Sequence, residues 1–313
     1  VSASLMRGTQ TKSFDAIYNE LESVGAGLGF DSGVHNASFG GRSLVDDLPL
    51  VLKLLSESLL TPIFPKHEVE KLRAQILTGL AIREQDTSDM AAMAFDRMLF
   101  DGHPYSRPAD GYVETIEQIT QKNLVEFHRA HYGPRGMVIA IVGAIDPKKA
   151  VAAVERVLGG WQVPGQVLPP SLPPHKPIKK TVRHHHVLAS KSQSDLVIGM
   201  IGPKRNDPEF YAASLGNSVL GQFGMMGRIG ESVREKSGLA YHASSSLSAG
   251  IGPGTWEVNA GVSPKNLKKA IGLIEQELRK FVKSGVTKDE LADSQANYIG
   301  RLPLSVESNG GVA

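Results

Sequence analysis

The stretch that decides the fold is Gly221–Tyr241, GQFGMMGRIGESVREKSGLAY. It opens with Gly221, Gly224, Gly227 and Gly230, and a helical run with Arg-Glu-Lys follows before Gly-Leu-Ala-Tyr. Because glycine has no β-carbon, this Gly-rich loop can approach an extended peptide closely. It contains no Gly-Lys-Ser/Thr and follows no dinucleotide-binding strand, so nucleotide binding is not predicted. A Gly-rich entry to a helix with no ligand is an equally good interpretation.

The bulk composition is that of a folded, soluble protein. Hydrophobic residues are 41% and charged residues 21% of the 313 residues, with a net charge of +2 that favours neither nucleic acid nor an anionic membrane. The absence of cysteine excludes disulfides and thiolate chemistry. No apolar run approaches the roughly 20 residues of a membrane span. The compartment is not determined by these features, although the cytoplasm is favoured over the periplasm.

A proline-rich segment divides the chain. Residues 163–180, VPGQVLPPSLPPHKPIKK, restrict the backbone and remove amide donors, which predicts an extended linker. We therefore expect one domain over residues 1–162 and a second over residues 181–313. Within the first, residues 136–142 (GMVIAIV) predict a buried strand, because the apolar run is short and ends at Gly143.

The second half of the chain repeats the order of the first half. Leu48 and Leu267 each begin a predicted helix, and Val69 and Leu291 lie in the helix that follows. The two separations are nearly equal, which predicts two tandem copies of one α/β unit. Chance recurrence of helix-opening signals is the alternative.

The segment Gly221–Tyr241 resembles the second domain of the pitrilysin and mitochondrial processing peptidase family of zinc peptidases. Further matches follow in the same order along the chain: residues 6–13 (MRGTQTKS), 21–28 (LESVGAGL), 47–55, 64–77, 103–108 (HPYSRP), 127–143 and 291–307. The resemblance implies two homologous domains, each a mostly antiparallel sheet with helices packed on one face. By this comparison the chain starts inside the helix that bears the family's metal motif and stops where members continue. Both domains are therefore expected to be incomplete.

The resemblance also places the family's zinc site at residues that cannot bind zinc. Active members carry H-x-x-E-H on a helix and a further glutamate downstream. Matching at Met6–Thr9 puts the motif's glutamate and second histidine at Ser2 and Ala3, and the downstream acidic positions at Leu72 and Gly79. None of these four side chains is a zinc donor at neutral pH. We therefore expect no catalytic residue and no metal in this chain.

Histidines elsewhere offer other metal ligands. His184, His185 and His186 are consecutive, so on a strand they point to alternate faces and cannot all meet one ion. His128 and His131 are three apart on a predicted helix and could share an ion, but no acidic third ligand is near in sequence. A solvated or partly packed strand entry is favoured for the three consecutive histidines, and a structural role is favoured for His128 and His131.

The resemblance further implies that Arg234 and Tyr241 bind substrate. The equivalent residues of related peptidases reach toward the peptide and the oxyanion, and both side chains can donate hydrogen bonds to a carbonyl on which charge develops. The alternative is that Arg234 pairs with Glu231 or Glu235 while Tyr241 packs at the start of a strand.

Two functions fit these features. In the first, the chain is a non-catalytic, substrate-binding subunit of a two-chain zinc metallopeptidase, bound to a homologous zinc-bearing subunit or to itself, with an unfolded peptide as substrate. In the second, it is a structural, core-type protein of the same fold. An active peptidase with a shifted match is a third interpretation, which the absence of any H-x-x-E-H string opposes.

Overall fold

The chain mixes helices with two small antiparallel sheets. The computed structural model describes residues 1–313 apart from the side chain of Met225. The helices are α1 Phe14–Ser23, α2 Leu48–Leu60, α3 Lys66–Arg83, α4 Thr87–Leu99, α5 Val113–Gln118, α6 Gln121–His131, α7 Pro147–Leu158, α8 Phe210–Gly221, α9 Phe223–Gly230, α10 Leu267–Ser284, α11 Lys288–Ser305 and α12 Asn309–Val312; the strands are β1 Gly27–Ser32, β2 Ala37–Arg42, β3 Ser194–Gly202, β4 Ala240–Leu247 and β5 Gly254–Val262. The predicted α/β class with antiparallel sheets is confirmed.

The elements form two compact units. Unit 1 comprises Val1–Leu80, Ala109–Ser171 and Ser305–Ala313, and unit 2 comprises Ala81–Pro108 and Leu172–Leu304. Residues 81–108 thus belong to unit 2 although they precede the proline-rich segment. The structure shows no helix or strand between Leu158 and Ser194. The domain boundary predicted at residues 163–180 separates two homologous copies, whereas the compact units are defined by contacts. The boundary therefore stays a prediction.

Unit 1 packs helices against a β-hairpin. Strands β1 and β2 pair in antiparallel register from Gly27 opposite Arg42 to Ser32 opposite Ala37. The core lies where the apolar faces of the helices meet; its buried residues include Leu5, Leu52, Leu55, Leu59, Phe64, Val69, Leu124 and Leu158. Burial of this many aliphatic side chains is the main stabilising term of the unit.

Unit 2 is built on a three-stranded antiparallel sheet in the order β3-β5-β4. One face carries Leu196, Val258, Ala260 and Val262, which pack with buried residues of α8 to α10. Helix α4 covers part of the opposite face, where Val197 and Ile201 pack against Phe95, Leu99 and Phe100. Because alternate strand residues point to opposite faces, both faces of β3 are covered.

The same order of elements occurs twice. In each case an antiparallel hairpin is followed by a short 3-10 turn and two long helices: β1, β2, α2 and α3, and later β4, β5, α10 and α11. Helices α2 and α10 begin at Leu48 and Leu267, the two positions that the sequence repeat aligned. This order is consistent with tandem copies.

The predicted strand over residues 136–142 is wrong. The structure assigns no strand there, although Met137 and Ile139 contact the core of unit 1 and Val138 between them is 87% exposed. The alternation of a strand is therefore present. Within the described residues no neighbouring strand pairs with it, and pairing is what makes an extended segment a strand.

No helix in the described part of the chain is both long enough and apolar enough to cross a membrane.

Candidate functional site

The candidate site is carried by the segment from α9 to the start of β4. Helix α8 ends at Gly221, and α9 follows after Gln222 alone. Gly224, Gly227 and Gly230 of the predicted Gly-rich loop therefore lie in α9, which fits the interpretation of a Gly-rich entry to a helix, and contact of these glycines with a peptide stays a prediction. Two of these glycines allow an unusual backbone conformation. Gly224 and Gly227 have φ of 62° and 63°, a region that residues with a β-carbon rarely adopt.

Close packing explains one of these glycines. A β-carbon at Gly227 would lie 2.6 Å from both the amide nitrogen of Gly221 and the carbonyl oxygen of Val219. The start of α9 thus lies directly against the backbone at the end of α8. No other residue type fits there without displacing one of the two helices.

A π-helical turn, Glu231–Glu235, continues α9 and brings Arg234 to the surface. Ile229 and Val233 are fully buried in the core of unit 2, so the inner face of this helical run is fixed. The amide of Leu239 donates to the carbonyl of Val233 at 3.0 Å, and that of Gly238 donates to the carbonyl of Arg234 at 2.9 Å. These bonds end the helix and direct the chain into β4.

Tyr241 lies at an irregularity in β4. Ala240 is opposite Val262 and His242 is opposite Gly261, so Tyr241 is the extra residue of a β-bulge. Bulges redirect a side chain relative to the regular strand. Tyr241 is 88% exposed, which opposes the alternative in which it packs at the start of a strand.

The structure brings Arg234 and Tyr241 together. The Arg234 guanidinium carbon lies 5.6 Å from the centroid of the Tyr241 ring, within the range of a cation–π contact. Arg234 Nε also lies 3.3 Å from Glu235 Oε1, so the pairing with Glu235 considered from sequence is present. The two contacts hold the guanidinium beside a phenol that faces solvent. Together they form a surface with N–H and O–H donors.

Polar residues also lie on strands β4 and β5. Ser244 Oγ and His242 Nε2 on β4 are 3.3 Å apart, and Asn259 Nδ2 donates to Glu257 Oε1 on β5 at 3.2 Å. Asp96 of α4 interacts electrostatically with Glu257, and burial, aided by that carboxylate, raises the pKa of Asp96 to about 6. Sequence analysis missed Asp96, because its partner is distant in sequence.

A second missed residue is Arg228 of α9. Its Nε and Nη2 donate to the two carboxylate oxygens of Glu290 at 2.7 and 2.5 Å, and Nη2 also donates to the carbonyl of Gly285 at 3.1 Å. The Arg228 hydrogen bonds lower the pKa of Glu290 to about 2. The sequence feature that could have drawn attention to Arg228 is its position among glycines, which are poor helix formers.

The four degenerate metal positions do not provide a zinc site. Ser2 Oγ lies 2.7 Å from the hydroxyl of Tyr132, and Ala3 has only a methyl group. On α3, Leu72 is apolar and Gly79 has no side chain. The residues present do not fit a zinc ion, which takes three nitrogen, oxygen or sulfur ligands from the protein in catalytic sites.

The polar side chains beside these positions are engaged with each other. Arg7 donates to Glu68 Oε2 at 3.1 Å and to Gln75 Oε1 at 3.0 Å, and Lys71 donates to Glu68 Oε1 at 2.7 Å. Hydrogen bonding from Lys71, with Arg7, lowers the pKa of Glu68. Two cations therefore lie on the buried carboxylate of this face of α3, which disfavours a further cation.

The histidines do not converge. His128 Nε2 contacts the carbonyl of Leu59 at 2.8 Å, whereas His131 Nδ1 contacts the carbonyl of Val167 at 3.2 Å. Burial lowers the pKa of His128. His184, His185 and His186 are exposed. Among the described residues, no group of three or more His, Asp or Glu side chains is arranged to hold a metal ion.

Comparison with known proteins defines the class. The family profile described as the peptidase M16 inactive domain matches residues 118–298. Since this match covers more than half of the residues, the chain belongs to the peptidase M16 inactive-domain family, which confirms the resemblance inferred from sequence.

Relatives with similar sequences are named as zinc proteases of unknown role. An uncharacterized zinc protease of Streptomyces coelicolor is 28% identical over 312 residues, which are 98% of this chain and 67% of that protein. One of Mycobacterium tuberculosis is 28% identical over 311 residues, covering 97% of this chain and 69% of that protein.

Solved structures share the fold. A peptidase M16 inactive domain from Pseudomonas fluorescens superposes with a TM-score of 0.90 at 28% identity, over 99% of this chain and 74% of that one. A protease from Helicobacter pylori gives a TM-score of 0.85 at 18% identity, over 99% of this chain and 76% of that one. The second similarity concerns the fold alone.

Proposed function

We propose that this chain is a non-catalytic, substrate-binding subunit of a zinc peptidase assembly. The observation that carries the proposal is the pairing of Arg234 with the exposed Tyr241 in a chain whose Ser2, Ala3, Leu72 and Gly79 cannot bind zinc. Membership of an inactive-domain family supports it. Zinc and the general base then belong to a homologous partner subunit that carries H-x-x-E-H, in a heterodimer.

The proposed role of the pair is to bind the peptide and the oxygen on which negative charge develops during hydrolysis. The guanidinium and the phenol both donate hydrogen bonds, and neither has to lose its proton to do so. Fixed donors of this kind act more strongly on the transition state than on bound substrate. The Arg234–Tyr241 contact holds the two donors in one place before the peptide arrives.

The test is reconstitution. The chain is co-expressed with a homologous subunit that carries H-x-x-E-H, and the hydrolysis of an unfolded, fluorescence-quenched peptide is compared between the assembly and the zinc-bearing subunit alone. We expect the assembly to be the faster enzyme by more than an order of magnitude, since two oxyanion donors are added. Co-purification with no change in the rate would contradict the proposal.

A structural, core-type role is the second candidate. The observation that favours it is the ion pair between Arg234 and Glu235, because the charge of Arg234 is then balanced without a bound peptide. In that case substitution of either residue changes neither peptide binding nor hydrolysis in any assembly.

A further inference from the structure

The ion pair between Arg228 and Glu290 lies on the same helical run as Arg234. Arg228 is in α9, and the run continues through Gly230, which has helical φ and ψ of −62° and −43°, into the π-helical turn that bears Arg234. A displacement of Arg228 is therefore transmitted along the helix to Arg234. The inference below rests on the proposed function of Arg234 and Tyr241.

This helical run begins weakly. Gly224, Met226 and Gly227 all have positive φ, and Gly230 ends α9. Residues at positive φ do not have the conformation of a right-handed helix, and Met226 is strained there because it carries a β-carbon. The start of α9 therefore depends on tertiary contacts more than an ordinary helix does.

The Arg228–Glu290 pair supplies such contacts with a defined geometry. Both guanidinium–carboxylate bonds are short, at 2.7 and 2.5 Å, and the side chains are only 18% and 32% exposed. Paired, two-bond contacts between arginine and a carboxylate fix orientation as well as distance. Arg228 also donates to the carbonyl of Gly285, the residue after α10, and lies 6.0 Å from the ring of Phe281.

Glu290 is itself held in place. Its Oε2 accepts from the amide of Thr287 at 2.7 Å, and its own amide donates to Thr287 Oγ1 at 3.2 Å, the reciprocal pattern of a helix capping box. Arg228 thus ties α9 to the junction of α10 and α11 through a carboxylate that cannot rotate freely. We infer that Arg228 is a positioning residue, which with Glu290 sets the place of Arg234 beside Tyr241.

The test reads the Arg234–Tyr241 contact directly. The whole chain is labelled with 3-fluorotyrosine and studied by fluorine NMR. The signal of Tyr241 is assigned by its loss in Y241F. Its chemical shift in the absence of the guanidinium is measured in R234A. We expect R228K and E290Q to move the signal more than half of the way to its R234A position. Lysine keeps the charge at residue 228 but not the two-bond geometry.

Two further variants separate positioning from general stability. R279Q breaks the exposed Arg279–Glu275 pair of α10, in which Nη2 lies 3.2 Å from Oε2, and is expected to leave the Tyr241 signal unchanged. The exchange R228E/E290R is expected to return the signal at least part of the way to its wild-type position.

The inference is overturned if the signal stays at its wild-type position in R228K and E290Q while R234A moves it. It is also overturned if R234A does not move the signal, since there is then no contact to position. Both results come from the chain alone, so they are independent of the reconstitution that tests the proposed function. In the active assembly R228K should lower kcat on the order of tenfold with little change in KM.

Discussion

At the scale of single residues, the chemistry of this chain depends on which charged groups have partners. Arg7, Arg228 and Arg234 each contact a carboxylate. Asp96 differs: the described residues include no cation paired with it or with its neighbour Glu257. Because an unpaired, half-buried carboxylate is costly when ionised, Asp96 is the group from which a pH effect on stability is expected.

The first prediction concerns the substitution Asp96→Asn. A pKa raised to about 6 in the folded state, above the unfolded value of 3.8, means that ionisation of Asp96 destabilises the fold as the pH rises through that interval. The variant should be more stable than the wild type by about 1 kcal/mol above pH 6, after allowance for solvent screening of a partly exposed group. The difference should vanish near pH 4 (about the unfolded pKa).

Urea unfolding at three pH values checks this. The W161F background leaves Trp256, which packs on Phe281 in unit 2, as the fluorescent probe of the unit that contains Asp96. A variant less stable than the wild type at pH 7.5 would mean that Asp96 has a cationic partner.

The second prediction concerns zinc. Since Ser2, Ala3, Leu72 and Gly79 offer no fitting donor set, the purified chain should hold far less than one zinc ion per molecule after dialysis. Elemental analysis of the dialysed protein measures this directly. A stoichiometric zinc content that survives dialysis would place a metal site at residues other than these four.

Sequence alone predicts local chemistry better than contacts between distant residues. Ser2, Ala3, Arg234 and Tyr241 could be named from the resemblance, because each lies beside a recognisable motif. Glu290 and Asp96 could not, since their partners Arg228 and Glu257 are distant in sequence and nothing local marks the pairing.

At the scale of elements, the same contrast holds. Helices α2 and α10 begin at Leu48 and Leu267, as their periodic apolar residues predict. The segment 136–142 has the composition of a strand but no strand partner, and pairing is a property of the fold that composition does not contain. Helix α9 escaped prediction because its glycines are poor helix formers, so tertiary packing outweighs propensity there.

The third prediction compares two glycines of α9. Gly224 and Gly227 have nearly equal φ, but a β-carbon at Gly224 meets no atom within 4 Å, whereas one at Gly227 meets backbone atoms of α8. Gly224→Ala should cost about 1–2 kcal/mol for the left-handed conformation alone. Gly227→Ala should cost about 2 kcal/mol more, because rigid backbone must also move.

Trp256 fluorescence during urea unfolding, again in the W161F background, measures both variants. Equal losses of stability would show that the close approach of α9 to α8 is relieved at no cost. The matched φ values make Gly224→Ala the control for conformational strain.

At the scale of the whole molecule, the chain has a peptidase fold, and we propose that it binds substrate for a partner subunit that holds the zinc ion. The inactive-domain family and the similarity to the Pseudomonas fluorescens structure define the fold. The two-unit division adds that residues 81–108 pack with unit 2, which the proline-rich segment at residues 163–180 did not indicate. A proline-rich composition predicts where the chain is extended, whereas the limits of a compact unit depend on contacts between residues distant in sequence.

We propose that Arg234 and Tyr241 assist hydrolysis at a partner's zinc site. The most direct test is single-turnover peptide hydrolysis by the reconstituted assembly, with zinc occupancy held equal, for wild type, R234A and Y241F. We expect R234A to lower the rate constant on the order of a hundredfold with intact assembly, and Y241F also to lower it, because each removes an oxyanion donor. Unchanged rates in both variants would contradict it and leave the pair a structural contact.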